Sequence, residues 1–141
     1  MRFMLLLKGD PPAGASPSPE LIDAMMAYNE ELAKAGVLLA AEGLHPSAVG
    51  AQVKYLSGQR TVIDGPFAEA KELIAGYLLI QVRSREEAIE WAMRCPVDKA
   101  VGDGVEAVVE VRQVADVTEL PTATEEHVAA TERIRDQLAG A

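Results

Sequence analysis

The stretch "IAGYLLIQVRSREEAIEWAMRCP", residues 74–96, decides the fold. Its first part, Ile74 to Val82, is apolar on both sides and long enough to cross a sheet as a strand. Ser84 and Glu87 then match the S-x-x-E capping box, in which a hydroxyl and a carboxylate satisfy the free N–H groups of a helix start. A helix follows, with Ala88, Ile89, Trp91, Ala92 and Met93 giving it a buried face, and Cys95-Pro96 ends it. Beyond the loop "DKAVGDG", residues 105–114 alternate as a strand does, with Val105, Ala107, Val109 and Val111 on one side. Strand, helix, strand is therefore the unit on the C-terminal side.

The same unit is readable upstream. Phe3 to Leu7 is an apolar strand, and the Gly-, Pro- and Ser-rich residues 9–19 form a loop. Ser18 caps a helix that has Pro19 at its first position. Leu21, Met25, Tyr28 and Leu32 recur at helical spacing, joined by Ile22 and Met26, and Gly36 terminates the run. Residues 37–44, "VLLAAEGL", return as a strand that stops at His45-Pro46. Residues 49–64 read as a hairpin with Ser57-Gly58 at its turn. At the other end, residues 115–122 link to a polar helix whose expected cap is Thr122 with Glu125. Its apolar stripe is thin: Val128, Ile134 and Leu138.

Two helices on one face of a mainly antiparallel sheet give an α+β fold of the ferredoxin-like split βαβ kind, over residues 1–114, with 115–141 as linker and C-terminal helix. Helices on one side only leave the other sheet face to be covered. The expectation is a homodimer, sheet against sheet, as a dimeric α+β barrel.

Composition narrows the function. The chain has 141 residues and a net charge of −9, from 13 basic and 22 acidic side chains. Such a surface repels phosphate backbones and anionic lipid, so neither nucleic acid nor a membrane is an expected partner. The single cysteine, Cys95, has no internal disulfide partner, which fits a reducing, cytoplasmic setting. There is no P-loop, no G-x-G-x-x-G and no C-x-x-C or H-x-x-x-H spacing, so no cofactor and no metal is expected.

In this order the pieces resemble the YCII-related family, in its DGPF-domain branch. The carriers are "MRFMLLLKGD" at the start, "AAEGL" at 40–44, "DGPFAEAKE" at 64–72, "AGYLLIQV" at 75–82, "EEAIEWAMRCP" at 86–96 and "VEVRQV" at 109–114. The likeness covers roughly residues 1–114 and leaves out the final helix. It implies a bacterial-type, dimeric α+β barrel. For the wider family it also implies enzymatic work by a His–Asp pair, a histidine near the first helix and an aspartate just before a proline after the second. This chain departs at both places: residues 8–36 hold no histidine, and Cys95 precedes Pro96. Proximity to sigma-factor-like regulators in the DGPF branch implies a regulatory protein as an alternative partner.

Other residues must then carry any chemistry. Asp64, at a strand end before Gly65-Pro66, is either a turn former or a general base opening into a pocket. Gly65 in this reading tolerates positive φ. Glu42 interrupts an apolar strand on the side of Leu38, Ala40 and Leu44. It approaches Asp64 if strands 37–44 and 60–64 are neighbours, and such a pair shares protons unequally. Otherwise it reaches water or pairs with Lys71 or Lys54. His45 titrates near neutrality or is simply solvated, and His127 lies on the polar face of the last helix. Lys71, Tyr77 and Phe67 are candidates for holding a substrate, Lys71 by charge, while Tyr77 alternatively packs against a dimer mate. Cys95 reads as a small buried hydrophobe. The expected activities are cofactor-free proton transfer on a small organic molecule or binding of one. The alternative is a non-catalytic partner of a transcriptional regulator.

Overall fold

The computed structural model describes residues 1–141. Nine regular elements follow one another: β1 (Arg2–Lys8), α1 (Pro19–Lys34), β2 (Leu38–Gly43), β3 (Ala51–Leu56), β4 (Gln59–Asp64), β5 (Ile74–Gln81), α2 (Arg85–Met93), β6 (Val109–Gln113) and α3 (Glu125–Ala139). Four strands form one sheet in the order β2-β5-β1-β6, and every pairing is antiparallel. Two βαβ units thus interleave, each with a strand of the other between its own pair, which is the ferredoxin-like arrangement. The sheet is open, not a closed barrel. β3 and β4 form a separate two-stranded hairpin.

The register lays residues across the sheet in rows. Toward the helices run Leu38–Ile80–Phe3–Gln113, then Ala41–Leu78–Leu5–Val111, then Gly43–Gly76–Leu7–Val109. Tyr28 and Leu32 of α1, Ala88 of α2 and Cys95 close onto the first two rows and make the core. Leu5, Leu32 and Ile80 are completely buried, each contributing about 1.5–3 kcal/mol. The Tyr28 hydroxyl donates to the Trp91 carbonyl at 2.6 Å and ties α1 to α2. On the opposite face, away from α1 and α2, run Ala40–Leu79–Met4–Arg112 and Glu42–Tyr77–Leu6–Glu110, where Leu6 is buried and Met4, Tyr77 and Leu79 are partly buried.

Local chemistry explains most element ends. Ser18 caps α1 by accepting from the Leu21 N–H, and Gly36 takes φ +75° just after it. Ser84 caps α2 by accepting from the Glu87 N–H, while the Glu87 carboxylate reaches back to the N–H of Arg83, one residue before the cap. Ser57 and Gly58 both have positive φ, as a tight hairpin turn requires.

Some expectations are corrected. The helix α3 is capped by Thr124 and His127, not by Thr122 and Glu125. Thr124 Oγ1 accepts from the His127 N–H, and His127 Nδ1 accepts from the Thr124 N–H. Imidazole here does the work usually done by a glutamate. Residues 105–108 lie outside β6, which begins at Val109. Met93 is 81% exposed and forms no part of the buried face of α2. β2 carries a bulge between Leu38 and Ala40, which shifts the alternation, so Glu42 shares a face with Ala40 but not with Leu38.

Candidate functional site

Two places gather functional groups. The first is a latch around the "DGPF" loop. Gly9 is fixed at the end of β1 by its N–H to the Leu73 carbonyl, 2.8 Å, and this sets Asp10 toward the turn Ser47–Val49. The Asp10 carboxylate accepts from the Ser47 N–H at 2.7 Å and from the Ser47 hydroxyl at 2.5 Å. Ser47 Oγ accepts in turn from the Phe67 N–H at 3.2 Å. The Gly65 N–H donates to the Gly50 carbonyl at 2.9 Å, and the Gly65–Pro66 peptide is cis. Gly65 is needed because a Cβ there would stand 1.7 Å from the Ser47 carbonyl oxygen, and not because of its φ, which is not positive. Three chain segments far apart in sequence are joined in this way. The Ser47 hydroxyl first, and its N–H second, hold the Asp10 carboxyl below the usual carboxylate range.

The second place is a groove of about 360 Å³ between α1 and the β2/β5 edge of the sheet. Its origin is the third row across the sheet. Gly43 faces Gly76, so two adjacent strands present no side chain toward α1. At Gly76 a Cβ would meet the Glu42 carbonyl oxygen at 3.0 Å and Leu7 Cδ1 at 3.4 Å, whereas one at Gly43 would meet nothing within 4 Å. Tyr28 and Leu32 hold the C-terminal half of α1 against the sheet. Leu21, Met25 and Asn29 lie along one stripe of the helix over the gap, beside Ile22 and Met26, and Met25 also packs against the core. The walls are largely apolar, and no lysine, arginine or histidine lines them.

The expected site residues fall in different places. Glu42 and Tyr77 are brought together as cross-strand neighbours. Both line the groove, but strand alternation turns their side chains to the helix-free face, so they contribute backbone to its wall. Asp64 is the exposed last residue of β4 and pairs with Ala51. The ladder partner of β4 is β3 and that of β2 is β5, so the strand adjacency expected to bring Glu42 to Asp64 does not exist. His45 and Lys71 are exposed in the connections after β2 and before β5. Phe67 is partly buried and enters the latch through its backbone. Cys95 is a buried thiol whose pKa burial pushes up to about 11, so it is a poor nucleophile at neutral pH.

Sequence reasoning missed Asp10, Ser47 and Asn29. The first two sit in ordinary loop sequences 37 residues apart, and nothing local links them. Asn29 did carry a signal, as the one amide in the apolar stripe of α1 at spacing i, i+4, i+8 from Leu21 and Met25.

Fold and site together define a small ferredoxin-like α+β protein with a one-sided sheet and an open apolar groove. The YCII-related domain profile matches residues 1–116, and the chain belongs to that family. It is also similar to an uncharacterised protein of Rhizobium meliloti, 35% identical over 68 residues. That match covers 48% of this chain and 55% of the relative, so the chain spans about half the length of the curated relative it matches. No helix of the chain is long and apolar enough to cross a membrane.

Two outcomes test the latch. Gly65→Ala is expected to lower stability by roughly 1–3 kcal/mol in urea unfolding, since a backbone carbonyl must move, while Gly43→Ala, whose Cβ meets open space, leaves it unchanged or slightly raised. Because the Asp10 pKa is depressed, its contribution is fully present above the ordinary aspartate value of about 4 and is lost as pH falls through the folded value. A carboxyl NMR titration should show the Asp10 midpoint rising toward that ordinary value in Ser47→Ala. Identical midpoints in the two proteins would mean that the tie does not form in solution.

Proposed function

We propose that the protein binds a small, largely apolar organic molecule in the groove between α1 and the β2/β5 edge. The observation that carries this reading is the Gly43–Gly76 pair, which keeps about 360 Å³ open beside α1. Volumes of this size suit a small ligand, and apolar walls with few polar groups are the usual make-up of such sites. Binding is favoured over acid–base turnover because the carboxylates expected to move protons stand elsewhere. Glu42 points to the other sheet face, and Asp64 belongs to the hairpin. The proton-transfer version would need one of them to reach the bound molecule.

The working unit in this reading is a homodimer in the cytoplasm. Its support is the helix-free face, where Met4, Leu6, Tyr77 and Leu79 form an apolar centre with Lys8, Glu110 and Arg112 at its margin. A second reading, contact with a regulatory protein, has α3 in its favour, since Ile134 and Leu138 stand exposed on that helix.

Filling the groove tests the first claim. In a thermal-shift screen of small phenols, alcohols and arenes, Gly43→Leu should fold but lose every hit that stabilises the wild type. Hits that persist in the filled protein would place the ligand elsewhere. Covering the sheet is tested separately by sedimentation: the wild type should be dimeric at micromolar concentration and Leu79→Arg monomeric. A wild type that stays monomeric and well folded would remove the sheet-to-sheet pairing.

A further inference from the structure

The hairpin of β3 and β4 stands apart from the rest of the chain. It pairs with no strand of the four-stranded sheet, and every one of its residues is exposed. It is anchored at its base, where the Gly65 N–H donates to the Gly50 carbonyl and Ser47 meets Asp10. Its register sets Val53 opposite Val62 and Tyr55 opposite Arg60, so strand alternation gathers these four on one face. Val53 is 50% exposed, Tyr55 69% and Val62 66%, and the Arg60 guanidinium lies over the Tyr55 ring, 5.3 Å from its centre. The other face is mainly polar, with Gln52, Lys54, Gln59 and Thr61. A two-stranded hairpin is marginal in water by itself, and a contiguous apolar patch on its surface marks a place of contact.

Charge indicates what the patch meets. Residues 43–63 contain Lys54 and Arg60 and no carboxylate, which leaves 11 basic against 22 acidic side chains in the rest of the chain. A cationic arm on an anionic chain complements a second copy of that chain. The matching surface is on α1. Ile22, Met26 and Glu30 recur at i, i+4 and i+8, with Asp23 beside them, and all four are exposed. Arg60, Asp23 and Glu30 make no ion pair within the chain. We infer that the hairpin is a clasping arm in a dimer of this chain. Val53, Tyr55 and Val62 lie against Ile22 and Met26 of the partner subunit, and Arg60 faces the partner subunit's Asp23 and Glu30. Two-fold symmetry makes the contact twice, so each subunit contributes an arm and a stripe, on the order of 20 residues, the lower end of a stable interface. The contact does not depend on the sheet-to-sheet pairing proposed above.

The test is sedimentation of the full chain at micromolar concentration. The wild type is expected to be dimeric, and Tyr55→Asp and Arg60→Glu each to weaken the dimer roughly tenfold or more. Both positions are exposed, so the core stays intact, which circular dichroism checks. A second protein carrying Asp23→Lys and Glu30→Lys should dimerise as poorly. Mixing it with the Arg60→Glu protein should restore a dimer, because one contact is then the native pair and the other its charge-reversed image. A wild type that stays monomeric would give the hairpin face to a different protein and overturn the inference. A dimer that all these variants leave unchanged, or variants that weaken it without recovery on mixing, would overturn it too. Dissociation by Leu79→Arg alone would uphold the sheet pairing and remove the arm, whereas recovery on mixing upholds the arm whatever Leu79→Arg does.

Discussion

The structure turns on one constraint: a four-stranded sheet has two faces and this chain supplies helices for one. Toward α1 and α2 the strands present Phe3, Leu5, Leu78, Ile80 and Val82, and these are almost wholly buried. Away from them the rows through Met4, Leu6, Tyr77 and Leu79 are also apolar, with Leu6 buried and the other three partly buried. The ion pairs of Glu110 with Lys8 at 3.4 Å and Arg112 at 3.4 Å edge the patch and add little energy by themselves.

The hairpin of β3 and β4 follows from the same economy. All of its residues are exposed, and an isolated two-stranded hairpin is at best marginally stable in water. The latch supplies the missing anchor. Asp10 grips Ser47 through two hydrogen bonds, Ser47 holds the Phe67 backbone, and Gly65 lets the hairpin's end pass against the Ser47 carbonyl. The "DGPF" string is thus explained by close approach and backbone satisfaction. Its aspartate, Asp64, closes the hairpin ladder opposite Ala51, whereas Asp10, outside the string, carries the shifted pKa.

How much of this was readable in the sequence depends on whether the cause was local. The cap at Ser18, the S-x-x-E start at Ser84 and the helical spacing of Tyr28 with Leu32 are local, and they placed both core helices. The one-sided sheet followed from element order. Three things escaped that reading. The bulge in β2 reversed the face of Glu42, because a one-residue shift exchanges the two sides of a strand. The cap of α3 moved by two residues because an imidazole at His127 can accept from a backbone N–H as a carboxylate does. The pairing of Asp10 with Ser47 depends on two loops meeting in space, and neither loop advertises the other.

A ferredoxin-like sheet is closed on its helix side only as far as its side chains reach. Two glycines facing each other remove that reach at the edge formed by β2 and β5. α1 cannot collapse into the gap, since Tyr28 is bonded to the Trp91 carbonyl and Leu32 is completely buried, and a rigid helix held at one half keeps the other half at its height. Methionines at 25 and 26 give that half a deformable apolar surface. The groove owes its shape to what the glycines omit, so it is built by helix and sheet rather than by the Asp64–Phe67 loop.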